Sequence, residues 1–262
     1  MKKVLQTLAI LSAIAALFLN GCQPRIAAPT DELLSKQSIS EEWYAHGRSY
    51  LSSRQYREAM EAFTKAIEIN PSHGRAYKFR GDLMRMKGNL DQDVSDYTKA
   101  LEINPRDDGA YHNRGFVWTL KGQLDSAIKD YNSAIELNDH FAQAYNNRGV
   151  ALAKKGDRDR AIKDFTKAIA LNLHFVEAYI GRGSVLMEKD DPDRAIEDFT
   201  RAIEIDPTIE AAYYYRAIAR YEKGDIYKAL NDVRKAFNLN PMEKRYQRYM
   251  DFLKGKLNTP SI

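Results

Sequence analysis

Aromatic and small residues recur along this chain with a period of 34 residues. Aligned at Ser40, Gly74, Asp108, Ala142, Val176 and Glu210, position 4 is Trp43, Tyr77, Tyr111, Tyr145, Tyr179 and Tyr213. Position 8 is Gly47, Gly81, Gly115, Gly149 and Gly183, then Ala217. Position 20 is alanine except at Asp93, and position 27 is alanine in all six copies. Position 24 is Phe63, Tyr97, Tyr131, Phe165, Phe199 and Val233. No residue is inserted or lost between copies. A fixed period of this length marks a stack of identical supersecondary units, not one globular core. Beyond the repeats, Tyr246, Tyr249, Met250 and Leu253 fall on one helical face.

The combination of period and residue types resembles the tetratricopeptide repeat from Ser40 to Glu243, in copies 40–73, 74–107, 108–141, 142–175, 176–209 and 210–243. The resemblance implies an all-α fold: a right-handed superhelical α-solenoid of six helical hairpins plus a C-terminal capping helix within 244–262. Small residues at positions 8, 20 and 27 let paired helices approach, and the aromatics at 4 and 24 fill the space beside them. Gly88, Gly122, Gly156 and Gly224 at position 15 suit the end of the first helix, because glycine accepts a left-handed conformation. Asp190 and Arg54 take that place in repeats five and one, so the turn of repeat one is expected to be less tightly specified. A solenoid needs a terminal cap with a polar back. The helix from Lys244 fits that role, and Lys244, Arg245, Arg248 and Lys254 also make it a candidate for anionic lipid or an acidic partner.

One substitution is paired. Position 7 carries Arg80, Arg114, Arg148, Arg182 and Arg216, and position 23 carries Asp96, Asp130, Asp164, Asp198 and Asp232, whereas repeat one has His46 and Ala62. Charges that appear together and vanish together predict a ladder of Arg–Asp pairs, either within repeats or between neighbours.

Residues 1–21 read as a signal peptide: Lys2 and Lys3 precede a mostly apolar run, Val4 to Leu19, too short to span a bilayer. Leu19-Asn20-Gly21-Cys22 resembles the lipobox of bacterial lipoproteins, which implies lipidation of Cys22, the sole cysteine. One acyl chain holds a protein only marginally, so stable anchoring takes two or more, which a lipobox supplies. Residues 22–39, with Pro24 and Pro29, are expected to be a flexible tether, in which Thr30 and the acids after it could start a short helix. The expected place is a periplasm-facing membrane surface of the bacterial envelope, and Gln23 after the cysteine leans towards the outer membrane.

The composition of 44% apolar and 29% charged residues can bury a core. The net charge of +4 is spread, not blocked, and falls further when Lys2 and Lys3 are removed, so it gives no reason to invoke nucleic acid. A single cysteine excludes intramolecular disulfides and thiolate zinc sites, and no histidine has metal-ligand spacing. His73, His140 and His174 are expected as solvated loop residues. With no phosphate loop or nucleophile elbow, the expectation is no enzyme, no metal, no cofactor and no small-molecule substrate.

What remains is a binding surface. In the resembled family the first helices line a concave groove. The candidates there are Lys78, His112, Asn113, Asn146, Asn147, Tyr214, Tyr215 and Tyr221. Amides suit a peptide backbone and accessible aromatics suit anchoring. For Tyr214 and Tyr221 a second reading is that the C-terminal helix covers them. Lys78 and Asn113 match positions of the family's carboxylate clamp for chaperone tails, but Asp82, Gln143 and Asn147 replace the rest, which speaks against a clamp. The expected function is a membrane-anchored adaptor for a protein or peptide partner. Alternatives are a pilotin-like factor for an outer-membrane secretin and a self-associating structural module.

Overall fold

A computed structural model describes residues 31–258; the expected signal peptide, Cys22 and the segment up to Thr30 lie outside them. Among the described residues there are thirteen helices and no strand. Six hairpins follow in order: α1 (Asp31–Ser52) with α2 (Tyr56–Ile69), α3 (Gly74–Met86) with α4 (Leu90–Ile103), α5 (Asp108–Leu120) with α6 (Leu124–Leu137), α7 (Ala142–Lys154) with α8 (Arg158–Leu171), α9 (Val176–Glu188) with α10 (Pro192–Ile205), and α11 (Glu210–Glu222) with α12 (Ile226–Leu239). Helix α13 (Lys244–Asn258) closes the stack. From repeat two onward every first helix, A, spans positions 1–13, and every second helix, B, spans 17–30. The strict sequence period is thus a strict structural period.

The turn between A and B needs a left-handed residue at position 15. Gly88, Gly122, Gly156 and Gly224 supply it with φ from 73° to 88°. Arg54 and Asp190 adopt the same conformation, φ 58° and 59°, against the preference of side chains bearing a Cβ. The turn of repeat one therefore has the shape of the others despite lacking glycine.

Inside each hairpin, position 8 lies against the ring at position 24. A Cβ on Gly115 would stand 2.9 Å from the Tyr131 ring, and one on Gly183 2.8 Å from Phe199. Repeat six solves the same contact differently. Ala217 replaces glycine and Val233 replaces the ring, and both are fully buried.

The Arg–Asp ladder is present in all five repeats that carry the residues. Each arginine grips its aspartate at two points, as Arg114 does through Nε to Asp130 Oδ2 (2.7 Å) and Nη2 to Oδ1 (2.8 Å). The carboxylate partner lies within the repeat. The third nitrogen reaches back to the preceding repeat: Arg114 Nη1 to Thr98, Arg148 to Asn132, Arg182 to Thr166 and Arg216 to Thr200, at 2.7–3.0 Å. The guanidinium also lies over the tyrosine at position 4, 5.5 Å from the ring centre for Arg148 on Tyr145. One side chain therefore joins three helices. A second ladder runs along the surface, where Lys121, Lys155, Lys189 and Lys223 bond Asp91, Asp125, Asp159 and Asp193 of the preceding repeat.

Two expectations are corrected. The tether predicted to 39 is helical from Asp31, because α1 runs unbroken into helix A of repeat one. Glu32, Leu34 and the residues on to Ile39 are exposed, so continuity holds this stretch rather than burial; extending a formed helix costs no new nucleus. Glu32 and Lys36 add an i,i+4 pair at 2.8 Å. His73 is also not a solvated loop residue. It is 5% exposed, and its Nδ1 accepts the backbone N–H of Ala76, capping α3, while its ring packs on Tyr44. His140 and His174 are exposed as expected. Among the described residues no helix is long and apolar enough to cross a membrane.

Candidate functional site

Successive A helices touch one another as well as their own B helices, so they line the inner side of the stack. On that side the structure gathers four of the predicted groove residues into one chain of hydrogen bonds. Asn146 Nδ2 donates to Asn147 Oδ1 (3.1 Å), and Asn147 Nδ2 reaches His112 Nε2 (3.0 Å). His112 Nδ1 meets Asn113 Oδ1 (3.0 Å), and Asn113 Nδ2 donates to Asp82 Oδ1 (2.9 Å). Tyr97 donates its hydroxyl to the same oxygen at 2.5 Å. These partners assign one tautomer: Nε2 accepts from an amide NH2, so Nδ1 carries the proton and gives it to an amide oxygen. Every donor from Asn146 to Asn113 then points towards the Asp82 carboxylate.

The chain crosses from α7 through α5 to α3 and ties three repeats together. Burial pushes the pKa of His112 down from its ordinary value, which keeps the ring neutral as the tautomer requires. Burial pushes Asp82 up, against the hydrogen bonds of Tyr97 and Asn113 and the charges of Arg85 and Lys78. At the far end, Asn146 is 7% exposed and its Oδ1 has no hydrogen-bond partner. A buried acceptor left without a partner costs stability.

The other predicted residues go elsewhere. Lys78 Nζ bonds both oxygens of Asp107, at 3.1 and 2.9 Å, and Asp107 caps α5 through the N–H of Ala110. Its ammonium thus belongs to a repeat junction. Tyr215 stacks on Phe199 with ring centres 5.8 Å apart. Tyr214 packs on Tyr246 and Tyr249, at 5.1 and 5.6 Å, and Tyr221 on Phe252 at 5.2 Å. Of the two readings for Tyr214 and Tyr221, the structure shows the covered one, since α13 lies over them. Tyr246 and Leu253 of that helix are fully buried. Cys22 lies outside the described residues.

Three residues near the chain were not singled out as site candidates. Tyr97 and Tyr131 differ from the phenylalanines at position 24 only by a hydroxyl, and each hydroxyl has a groove-side partner, Asp82 and Thr119. That tyrosine-for-phenylalanine difference was the available signal. Asp93, the only acid at the alanine position 20, is 0% exposed, and neither carboxylate oxygen has a hydrogen-bond partner. Burial raises its pKa to about 7, with Arg85 opposing and Asp82 and Asp96 reinforcing the rise. Among the described residues no group of three or more His, Cys, Asp or Glu side chains is placed to hold a metal.

Family models agree with this architecture. Tetratricopeptide repeat models match residues 44–108, 142–175 and 176–209, and a TPR repeat model matches 119–156, together more than half of the chain. The chain belongs to the tetratricopeptide repeat family. No curated protein gives a significant match. Among solved structures, YrrB, a TPR protein with an unusual peptide-binding site, is 26% identical with a TM-score of 0.59, covering 73% of this chain and 99% of its own. MamA is 28% identical with a TM-score of 0.58, covering 63% of this chain and 97% of its own. PilF of Pseudomonas aeruginosa shares the fold at 16% identity, with a TM-score of 0.72 over 83% of this chain and 99% of its own.

Proposed function

We propose that this protein is a lipid-anchored scaffold of the bacterial cell envelope whose inner groove binds a protein or peptide partner. The observation that carries the binding part is the directed hydrogen-bond chain of amides and His112 along the inner A helices of repeats two to four. Membership of a family of repeats that serve as interaction scaffolds, and the likeness to a peptide-binding TPR protein, support the same reading. The anchoring part rests on the lipobox-like run that ends at Cys22. A narrower form, a pilotin-like factor for an outer-membrane secretin, rests on architecture alone: six hairpins behind a candidate lipidated cysteine.

Two experiments test the halves separately. Growth with a clickable fatty acid is expected to label the wild type and not Cys22→Ser; an unlabelled wild type in the membrane fraction ends the anchoring proposal. A photo-crosslinking amino acid in place of Gln143, an exposed residue at the start of α7 beside this chain, is expected to trap a discrete envelope protein. Absence of any adduct there, with adducts from a control position on a B helix, ends the groove proposal.

A further inference from the structure

The inner face has a regular floor with one interruption. In several repeats the residue at position 6 packs on the buried position-24 ring of the preceding repeat. Phe79 stacks on Phe63 with ring centres 5.6 Å apart, and Tyr215 stacks on Phe199 at 5.8 Å. Over Tyr97 stands Asn113, joined to it through Asp82. In repeat five that residue is Gly181. A Cβ there would come within 2.6 Å of the Phe165 ring, so the α9 backbone rests directly on the ring and no side chain rises above it.

Glycine within a helix is disfavoured, and here it lets α9 settle on the Phe165 ring, beside which a cleft remains. The space is about 220 Å³, between α7 and α9, with Val150, Ala153 and Phe165 among its lining. Its edge carries two exposed charged residues, Lys154 and Glu188. Glu188 is matched by Arg158 at 2.8 Å. Lys154 has no acidic partner among the described residues, although the neighbouring lysines 155 and 189 each bond an aspartate. The edge of an apolar notch therefore holds one uncompensated positive charge.

We propose that this notch is the anchor subsite of the groove: it takes one bulky apolar side chain of an extended protein segment, and an acidic residue beside that side chain meets Lys154. The inference rests on the reading of the groove as a protein-binding surface and adds the ligand's chemistry. Burying an apolar side chain supplies affinity, while the lone cation selects which apolar residue along a segment docks.

The test uses the full chain and three fluorescent Gly/Ser peptides: one with a phenylalanine flanked by glutamates, one with alanine for that phenylalanine, and one with lysine flanks. Anisotropy is expected to rank the Glu–Phe–Glu peptide at least about tenfold tighter than the other two. Ala153→Leu, at a half-buried position in the notch lining, narrows the notch and is expected to abolish that preference. Lys154→Glu lies on an exposed site and leaves the packing intact, so it guards against a misfolded Ala153 variant; it is expected to weaken the acidic peptide about tenfold and improve the lysine one. Equal binding of all three peptides, or no change in Lys154→Glu, overturns the proposal. A benzophenone in place of the phenyl ring then maps the contact. Labelling of residues 150–154 or 181–188 supports the notch. Labelling at Asn113 or Asn147 instead overturns the notch and leaves the groove reading standing, and labelling confined to B helices overturns both.

Discussion

Arg148 holds Asp164, sixteen residues further on, by two parallel hydrogen bonds: Nε to Oδ2 at 2.7 Å and Nη2 to Oδ1 at 2.8 Å. Its third nitrogen bonds Asn132 of the preceding repeat at 2.7 Å. The contact between positions 7 and 23 is thus a fork that fixes angle as well as distance. A solenoid has contacts only between neighbours, so a side chain that binds its own hairpin and the previous one sets the rotation between repeats.

Arg148→Leu is expected to destabilise the protein by ~3 kcal/mol, because Asp164 stays buried without its counter-charge and Asn132 loses a donor. Arg148→Leu combined with Asp164→Tyr, which replaces the ion pair by two largely apolar side chains, is expected to recover much of that loss. Urea unfolding of the two single variants and the double variant checks this. Additive losses with no coupling between the sites contradict the pair as the stabilising unit.

Much of this fold is legible in the sequence because a repeat writes each boundary six times. The glycines at position 15, the alanines at 27 and the paired Arg and Asp mark turn, close approach and bridge without any knowledge of tertiary structure. The surface ladder was written there too, as Lys at position 14 and Asp at position 18, but the two come together only when stacking brings residues thirty apart side by side, as in Lys155 and Asp125. The site was legible as a set of amides on A helices. What could not be read was direction: His112 joins two asparagines only because one ring nitrogen donates and the other accepts. The packing of α13 was also hidden. An apolar face announces that a helix docks, and cover over Tyr214 and Tyr221 was one of two readings; where the helix crosses α11 decides between them.

The His112 tautomer gives the protein a pH dependence. Burial holds the folded-state pKa below the ordinary 6.5, and nearby charges divide: Arg85 lowers it further, whereas Asp108 and Asp82 raise it. The folded state therefore prefers the neutral ring. Its contribution is complete above 6.5 and is lost as pH falls through that value towards the folded-state pKa. Protonation also removes the acceptor for Asn147. His73 titrates in the same sense, since burial lowers it and its Nδ1 must accept from Ala76. The melting-temperature difference between the wild type and His112→Gln is expected to shift against the wild type between pH 7 and pH 5, whatever the opposing groups do. An unchanged slope in that variant would separate the ring's charge from the network.

Asp93 acts in the opposite sense. Its pKa is raised to about 7, so the folded state favours the protonated acid. The associated stability is present below the ordinary carboxylate value of 3.8 and is lost as pH rises from there to about 7. At neutral pH a partly ionised carboxylate then sits buried with no hydrogen-bond donor. Asp93→Ala restores the residue that the five other repeats carry at this position. It is expected to stabilise the protein by ~1–3 kcal/mol at pH 7.5 and by less at pH 5. Denaturant titrations at the two pH values check both the sign and its dependence on pH. A loss of stability at pH 7.5 would mean that the carboxylate has a partner that outweighs its desolvation.

The tyrosines of repeat six decide between a cap and an open binding surface. Tyr214 has Tyr246 and Tyr249 on one side, and the Arg245 guanidinium 5.2 Å from its ring centre. Tyr221 meets Tyr249 and Phe252 edge-on. The surroundings follow: burial raises the pKa of Tyr214 and of Tyr249 alike. Such ring clusters carry large area and an edge-to-face preference, so they fasten α13 more than its sparse apolar face alone would. Truncating two half-buried rings is expected to cost ~2 kcal/mol, which for a chain of this size lowers the melting temperature by about 4–8 °C. Tyr214→Ala with Tyr221→Ala should show that drop, and limited proteolysis should release residues 244–258 early. Tyr215→Ala is the comparison, because that ring stacks on Phe199 of the preceding repeat. If the double variant melts like the wild type and resists proteolysis, the two rings do not hold the cap. Their accessible edges would then return as candidates for the partner's contact.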